Sequence, residues 1–339
     1  MGDPRVLIAS SSVGLGHVAR DLHLRRSARW ASVEWLTAGS ALRFLEANGE
    51  RVHEASRRLL SLGDVIGGSI VRRCRVRVRS GPLRELYAIV KHNVEIIDES
   101  VDLESYDLVV ADEFWELLLS RRRPRRGAFL TDFVDLSPRR WWMPLRPLIS
   151  RLGEAIRRRA AERFDLRVHV GTWGTADGFW RPGQLPTDAA LSGGGDRSGP
   201  VVVNVGGTVA GCGAARAISG ALRAAGIEHV VLGTCGEFTG SPGSALRNAR
   251  AVVTLAGYSS LVEVSLLRRP AIVLPIRGHF EHEENAEEFA GRSGYRVVPC
   301  SEEGIPLEEL REVMSEEVDP PRLVDATQDI VEALEGFLP

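Results

Sequence analysis

The sequence predicts an α/β protein built from two doubly wound parallel sheets. Three observations lead there. Short apolar runs rich in branched residues alternate with helical patterns along most of the 339 residues. A glycine-rich turn follows the first strand of each half, at residues 14–16 and again at 206–207. Between residues 171 and 200 the composition shifts to Gly, Pro, Ser, Thr and Asp, after which the strand–helix pattern restarts. These breaks predict an N-terminal domain over 1–171, a linker over 172–199, a second domain over 200–318 and a closing helix over 319–339.

Taken in order, residues 5–9 form an apolar first strand, followed by the turn SSSVGLG and a helix running to Trp30. Residues 33–37 read as a second strand, 41–48 as a short helix ended by Gly49, and 51–53 as a brief third strand. Residues 55–80 look irregular, but VRRCRVRVRS at 71–80 alternates at period two, as an arginine-faced ribbon would. A helix is expected over 82–99, strands over 108–111, 128–131 and 166–170, and a basic amphipathic helix over 141–164. The second half begins with a strand at 201–205, a helix at 210–225 and a strand at 229–233. Residues 251–253 end in a small-residue turn at Ala256–Gly257 and lead into Ser259, Ser260 and an apolar helical pattern at Leu261, Val264 and Leu267. A strand at 271–275, an acidic helix, a strand at 296–299 and helices over 305–316 and 320–337 complete the pattern.

Hydrophobic residues make up 44 % of the chain, enough for packed cores, and no apolar run reaches the roughly 18–20 residues of a membrane span. The N-terminal apolar run continues into a strand and does not read as a signal peptide. Cys74, Cys212, Cys235 and Cys300 are scattered without a CxxC pair, so reduced thiols and a cytoplasmic location are expected. The net charge is −2, unevenly spread: residues 1–165 carry 29 Lys/Arg against 22 Asp/Glu, and residues 166–339 carry 14 against 23. Such asymmetry suits two domains with different partners.

Several residues are placed for chemistry. Gly14, Gly16, His17 and Arg20 follow the first strand and open a helix, where His17 could serve as a base, cap the helix or contact a diphosphate. Read as GxGxxA, the same turn could bind a dinucleotide, but the second strand, VEWLT, ends in Thr37 and lacks the terminal acid that holds a ribose. Asp112 and Asp132 each follow a strand, at the sheet edge where α/β proteins bind ligands, and could act as a base, contact an acceptor or cap a helix. Gly206, Gly207 and Thr208 form a tight turn able to aim several N–H groups in one direction. Ser259 and Ser260 stand at a helix start suited to phosphate, and Glu263, one turn on, suits a sugar diol. HFEHEE at 279–284 has the HxxH spacing of a metal site but no evident third ligand.

Taken together, these residues resemble the GT-B glycosyltransferases, and above all glycosyltransferase family 28, which includes the peptidoglycan N-acetylglucosaminyltransferase and related archaeal proteins. Gly257, Ser259, Ser260 and Glu263 match the first part of that family's donor pattern; Pro275, Glu281, Asn285 and Ala286 match the second. Tyr258 replaces a small residue, and His282 stands where Gln is usual. Gly14, Gly16, His17 and Arg20 map onto the family's N-terminal loop. The resemblance implies two Rossmann-like domains facing a cleft, with the last helix crossing back onto the first domain. It implies a nucleotide-sugar donor, most simply a UDP-sugar carrying an N-acetylhexosamine, bound by the second domain through Gly206, Gly207, Thr208, Gly257, Ser259, Ser260, Glu263, Glu281, His282 and Asn285. It also implies transfer with inversion to an acceptor that could be lipid-linked, with His17, Asp112 or Asp132 as base, and no tightly bound cofactor or metal. An epimerase on the same fold, or a non-catalytic nucleotide-sugar-binding protein, would use the same donor residues.

Residues 139–159, RRWWMPLRPLISRLGEAIRRR, interleave aromatic and aliphatic side chains with arginines, as a segment lying on an anionic membrane surface would. The same segment also suits an acceptor-site wall or domain packing. No nucleic-acid motif is visible.

Overall fold

The computed structural model describes residues 3–77, 79–133, 146–171, 177–188, 195–236 and 243–338, without side chains at 146–149 and 244. The chain divides into two compact units: Met1–Gly63, Ser80–Leu185 and Val324–Pro339 form the first, and Asp64–Arg79 with Pro186–Leu323 the second. In chain order the strands are β1 (Arg5–Ser10), β2 (Ser32–Leu36), β3 (Val71–Arg72), β4 (Arg75–Val76), β5 (Leu108–Asp112), β6 (Gly127–Thr131), β7 (Leu166–His169), β8 (Val201–Asn204), β9 (His229–Leu232), β10 (Ala251–Leu255), β11 (Ala271–Leu274) and β12 (Tyr295–Val297). The helices are α1 (Gly16–Ser27), α2 (Gly39–Ala47), α3 (Leu62–Val65), α4 (Ser80–Ser100), α5 (Glu116–Leu119), α6 (Arg146–Arg163), α7 (Cys212–Ala224), α8 (Gly243–Asn248), α9 (Tyr258–Leu266), α10 (Phe280–Glu287), α11 (Leu307–Ser315) and α12 (Thr327–Glu335).

The first unit holds a parallel sheet in the order β2-β1-β5-β6-β7, the second a parallel sheet in the order β12-β11-β10-β8-β9. Counted within its own unit, each sheet has the order 2-1-3-4-5, which reverses beside the first strand. Both faces of these strands are covered, so β5, β6, β8, β10 and β11 are buried throughout and read as continuous apolar runs. In the first unit Leu7, Val109 and Phe129 pack with Ile97 of α4 and Ala160 of α6. The helix α12 lies on α1, where His23 Nε2 and Thr327 Oγ1 meet at 3.2 Å and the Arg29 amide donates to Glu335. In the second unit one sheet face packs on α7 and α11 through Ile218, Leu222 and Leu310, the other on α8 and α9 through Leu246, Leu261 and Val264.

Several expectations are corrected. The sequence placed residues 64–79 in the N-terminal domain; their contacts place them in the second unit, with Val71 and Cys74 in its core. The expected strand at 51–53 is a single bridge between Val52 and Trp35. Helix α8 was not foreseen, and α12 is shorter than the helix expected over 320–337. Helix α9 begins at Tyr258 with Gly257 as its N-cap, so Ser259 and Ser260 lie within its first turn. All four cysteines are paired, as Cys74–Cys300 and Cys212–Cys235, rather than reduced. Cys74 and Cys300 are 226 positions apart, and spacing gave no sign of that pair. The first part of the basic segment at 139–159 and much of the expected linker lie outside the described residues.

Candidate functional site

In the first unit the sheet order reverses between β1 and β5, and an α/β sheet opens a crevice at the carboxyl ends of such a pair. The turn after β1 is fixed there: Ser11 donates its amide to Asp112 O (2.9 Å), Ser12 Oγ accepts from the Leu62 amide (3.1 Å), and Gly14 takes a left-handed φ of 78°. This places His17 and Arg20 of α1 over the ends of β5 and β6. Arg20 is fully buried and donates from Nε and Nη2 to both oxygens of Asp112 (2.6 and 2.5 Å) and from Nη1 to Asp132 (2.7 Å). The structure therefore brings His17, Arg20, Asp112 and Asp132 together, whereas Gly14 and Gly16 shape the turn.

His17 Nδ1 lies 3.3 Å from Asp112 Oδ2 and 2.9 Å from Arg20 Nη2, while Nε2 faces Glu113 Oε2 at 3.6 Å. With Nδ1–H donated to Asp112, Nε2 keeps its lone pair; with Nδ1 accepting from Arg20, Nε2 carries the proton. Glu113 was missed by the sequence reading. Its backbone is left-handed at φ 45°, and Oε1 accepts from Thr131 Oγ1 (2.8 Å) and the Asp132 amide (2.9 Å), which leaves Oε2 toward His17.

Burial by itself would raise the Asp112 carboxyl, but Arg20 and His17 outweigh it and hold the group well below the usual carboxylate range. Burial likewise works against the Arg20 cation, yet Asp112 and Asp132 keep it firmly protonated. Glu113 is pushed up by burial and then by Asp132, and Asp21 by burial and then by Asp112. His169, at the end of β7, is lowered to about 4 by burial and by Arg181. His17, Glu113 and Asp132 offer ligand atoms within 4.8 Å of one another, close enough for a cation. Arg20 already carries positive charge 2.7 Å from Asp132 and 2.9 Å from His17, which opposes one.

The second unit reverses its order between β8 and β10. Asn204 ends β8, accepts from the Gly206 amide (3.3 Å) and donates to Ser260 Oγ (3.3 Å), tying the glycine turn to the start of α9. Gly206 has φ 80° and open space where a Cβ would be, and Thr208 Oγ1 accepts from the Ala210 amide (3.4 Å). Gly207 follows in the same turn. Gly257 is open on the α9 side, with only His282 Nε2 within 3.9 Å of an added Cβ. These groups leave a polar edge of backbone N–H and hydroxyls, as a phosphate requires.

The remaining predicted donor residues are engaged within the protein. Glu281 accepts from the Tyr258 amide (3.1 Å) and from Asn285, and Asn285 also donates to Ala256 O (2.8 Å). His282 is buried and kept neutral by burial and by His279; Nδ1 accepts from the Ile276 amide (3.4 Å), so Nε2 is the donor, near Gly257. The three residues clamp α10 to the start of α9. Glu263 is buried and accepts from Thr187 Oγ1 at 2.5 Å, and burial pushes its carboxyl up to about 7. Thr187, 76 residues away, carries no signal in the sequence; Asn204 could have been found beside the glycine turn.

No protein-family model matches the chain, and no curated protein matches it in sequence. Solved structures match it in fold. The chain is similar to the glycosyltransferase SnogD from Streptomyces nogalater at a TM-score of 0.55 and 15 % identity, covering 99 % of this chain and 95 % of that one. It is similar to the glycosyltransferase SsfS6 of Streptomyces sp. SF2575 at 0.56 and 14 %, covering 99 % and 97 %. SsfS6 complexed with thymidine diphosphate matches at 0.52 and 12 %, covering 99 % and 96 %. At these identities the likeness is one of fold: two doubly wound parallel-sheet units of the GT-B class.

Proposed function

We propose that this chain is a glycosyltransferase that moves a sugar from a nucleoside-diphosphate donor to an acceptor hydroxyl with inversion. The observation that carries the reading is His17 beside the buried, ionised Asp112, braced by Arg20, in a fold shared with glycosyltransferases. Asp112 holds Nδ1–H, and Nε2 takes the acceptor proton as the oxygen attacks the anomeric carbon. The bond from that carbon to the diphosphate breaks, and the diphosphate leaves with the electron pair. Its charge is met by the N–H groups of Gly207 and Thr208, in the turn that the Gly206 amide ties to Asn204, and by the first turn of α9, with the Ser259 and Ser260 hydroxyls. Glu263 exchanges the Thr187 hydroxyl for a ribose hydroxyl. The family 28 resemblance favours a UDP-linked N-acetylhexosamine and a lipid-linked acceptor; the thymidine diphosphate on SsfS6 keeps thymidine donors in the test.

The purified chain is screened by thermal shift against UDP- and TDP-sugars, then incubated with donor and candidate acceptors, reading released nucleoside diphosphate and acceptor mass. A shift plus an acceptor mass gain is expected. Sugar rearrangement without acceptor would make the chain an epimerase, and binding without turnover a binding protein.

A further inference from the structure

The hairpin β3–β4 belongs to the second unit and takes no part in the proposed chemistry. Residues 65–84 hold six arginines and no acid. Five of them, Arg72, Arg73, Arg75, Arg77 and Arg79, lie in the second unit and all are exposed. Among the described residues none makes an ion pair, although Glu302 and Glu303 follow closely on Cys300, the disulfide partner of Cys74 in the hairpin turn.

By local chemistry this hairpin is a poor one. Arg72 and Arg75 sit directly opposite each other, a like-charge pair that disfavours pairing. The turn residues Arg73 and Cys74 are both left-handed, with φ 50° and 57°, where Asn-Gly is the usual choice. Tertiary contacts hold it in place. Val71 and Val76 pack on the core, Cys74 is bonded to Cys300, and the backbone pairs with Arg277 through Val76 N to Arg277 O (2.9 Å) and Arg277 N to Cys74 O (3.0 Å). Arg277, itself exposed, adds a sixth positive charge to the ribbon. A disfavoured cluster of one sign, pinned down by distant contacts, is the kind of local conflict that marks a functional surface.

We propose that this arginine ribbon docks the second unit on an anionic lipid bilayer. Its charges run from the hairpin, at Arg72, Arg73 and Arg75, into Arg77 and Arg79 beyond it, with Arg277 bridged to Arg75, and this extended exposed row matches a plane of headgroups. Residues 64–79 contain no aromatic side chain to stack a nucleic-acid base. Val71 and Val76 face the core, and the described arginines are exposed. This assignment is independent of the sugar-transfer reading and differs from a membrane contact at residues 139–159.

The test is co-sedimentation with phosphatidylcholine vesicles with and without phosphatidylserine, over a salt series, with a mixed-sequence single-stranded oligonucleotide as a separate arm. The wild-type chain is expected on the anionic vesicles alone, less so as salt rises. R72S/R75S/R77S is expected to lose roughly a hundredfold in affinity, at about fivefold per arginine. It should melt no lower than wild type, because it removes a like-charge pair. R151S/R157S/R158S, in the other basic segment, is expected to bind as wild type does. Equal binding to neutral vesicles, wild-type binding by the hairpin variant, a lowered melting point for it, or loss of binding in the R151S/R157S/R158S control would each overturn the assignment. Oligonucleotide binding without preference for the anionic lipid would overturn it in favour of a nucleic acid.

Discussion

The two units share one strand order and differ in what they place at the reversal point. The first puts a buried arginine there among carboxylates, with His17 at the edge. The second puts an amide, glycines and hydroxyls there, and the one buried acid among its described residues, Glu263, is covered by Thr187 and pushed up to about 7. The same topology thus supports a fixed-charge site and a largely neutral one. A fixed-charge site suits moving a proton and can be built rigidly only if every charge is paired. A neutral edge of N–H groups suits receiving an anion that arrives with its own charge.

The largest expected break in this comparison is Arg20→Met. It leaves Asp112 and Asp132 buried without their cation, so the first unit should lose about 3–5 kcal/mol in urea unfolding near neutral pH. The Asp112 part of the pH response should invert as well, while Asp21 and Glu113, both pushed up by burial, lose stability with rising pH in either protein. In the wild type the depressed Asp112 contributes stability above the unfolded carboxylate pKa and loses it as pH falls below about 4. In the variant the unpaired acids favour protonation, so acid should stabilise. A wild-type melting curve from the variant would show that the network is not what holds this end of the sheet.

Next comes His17→Ala. Turnover should fall by about 10²–10⁴ while nucleotide affinity, which the proposed function assigns to the second unit, stays near the wild-type value. Turnover and affinity are measured on one preparation. Loss of both together would move His17 from proton transfer to structure, and Glu113 or Asp132 would become the better base.

The smallest effect is expected from Glu263→Gln. Replacing a charged acceptor should weaken nucleotide binding by roughly ten- to a hundredfold at pH 8, and by less at pH 6, where the wild-type carboxyl is already protonated. Stability should respond in the opposite sense. The folded carboxyl titrates near 7 and the unfolded one near 4.5, so the folded state holds the extra proton between them, and wild-type stability falls as pH rises through that window. The variant should lack this slope. Calorimetric affinity and melting temperature at both pH values decide it; parallel pH curves for the two proteins would remove Glu263 from both accounts.

The outline was legible in the sequence. Runs such as LVVA and AIVL are buried on both faces, so they show as unbroken apolar stretches, and helices alternating with them force parallel pairing. The two glycine turns, the start of α1 and the helix after Gly257 are local events of a few residues each, carried by backbone freedom and periodicity. His17, Arg20, Asp112 and Asp132 were each visible as residues at such boundaries.

What joins them was decided by the tertiary structure. Arg20 meets Asp112 and Asp132 across 92 and 112 residues, Thr187 finds Glu263 across 76, and Cys74 finds Cys300 across 226. Residues 64–79 join a unit whose remaining chain begins more than a hundred residues later. Local periodicity fixes which face of a strand or helix turns inward. It does not fix which distant group meets a polar side chain there, because that partner is set by the packing of whole elements.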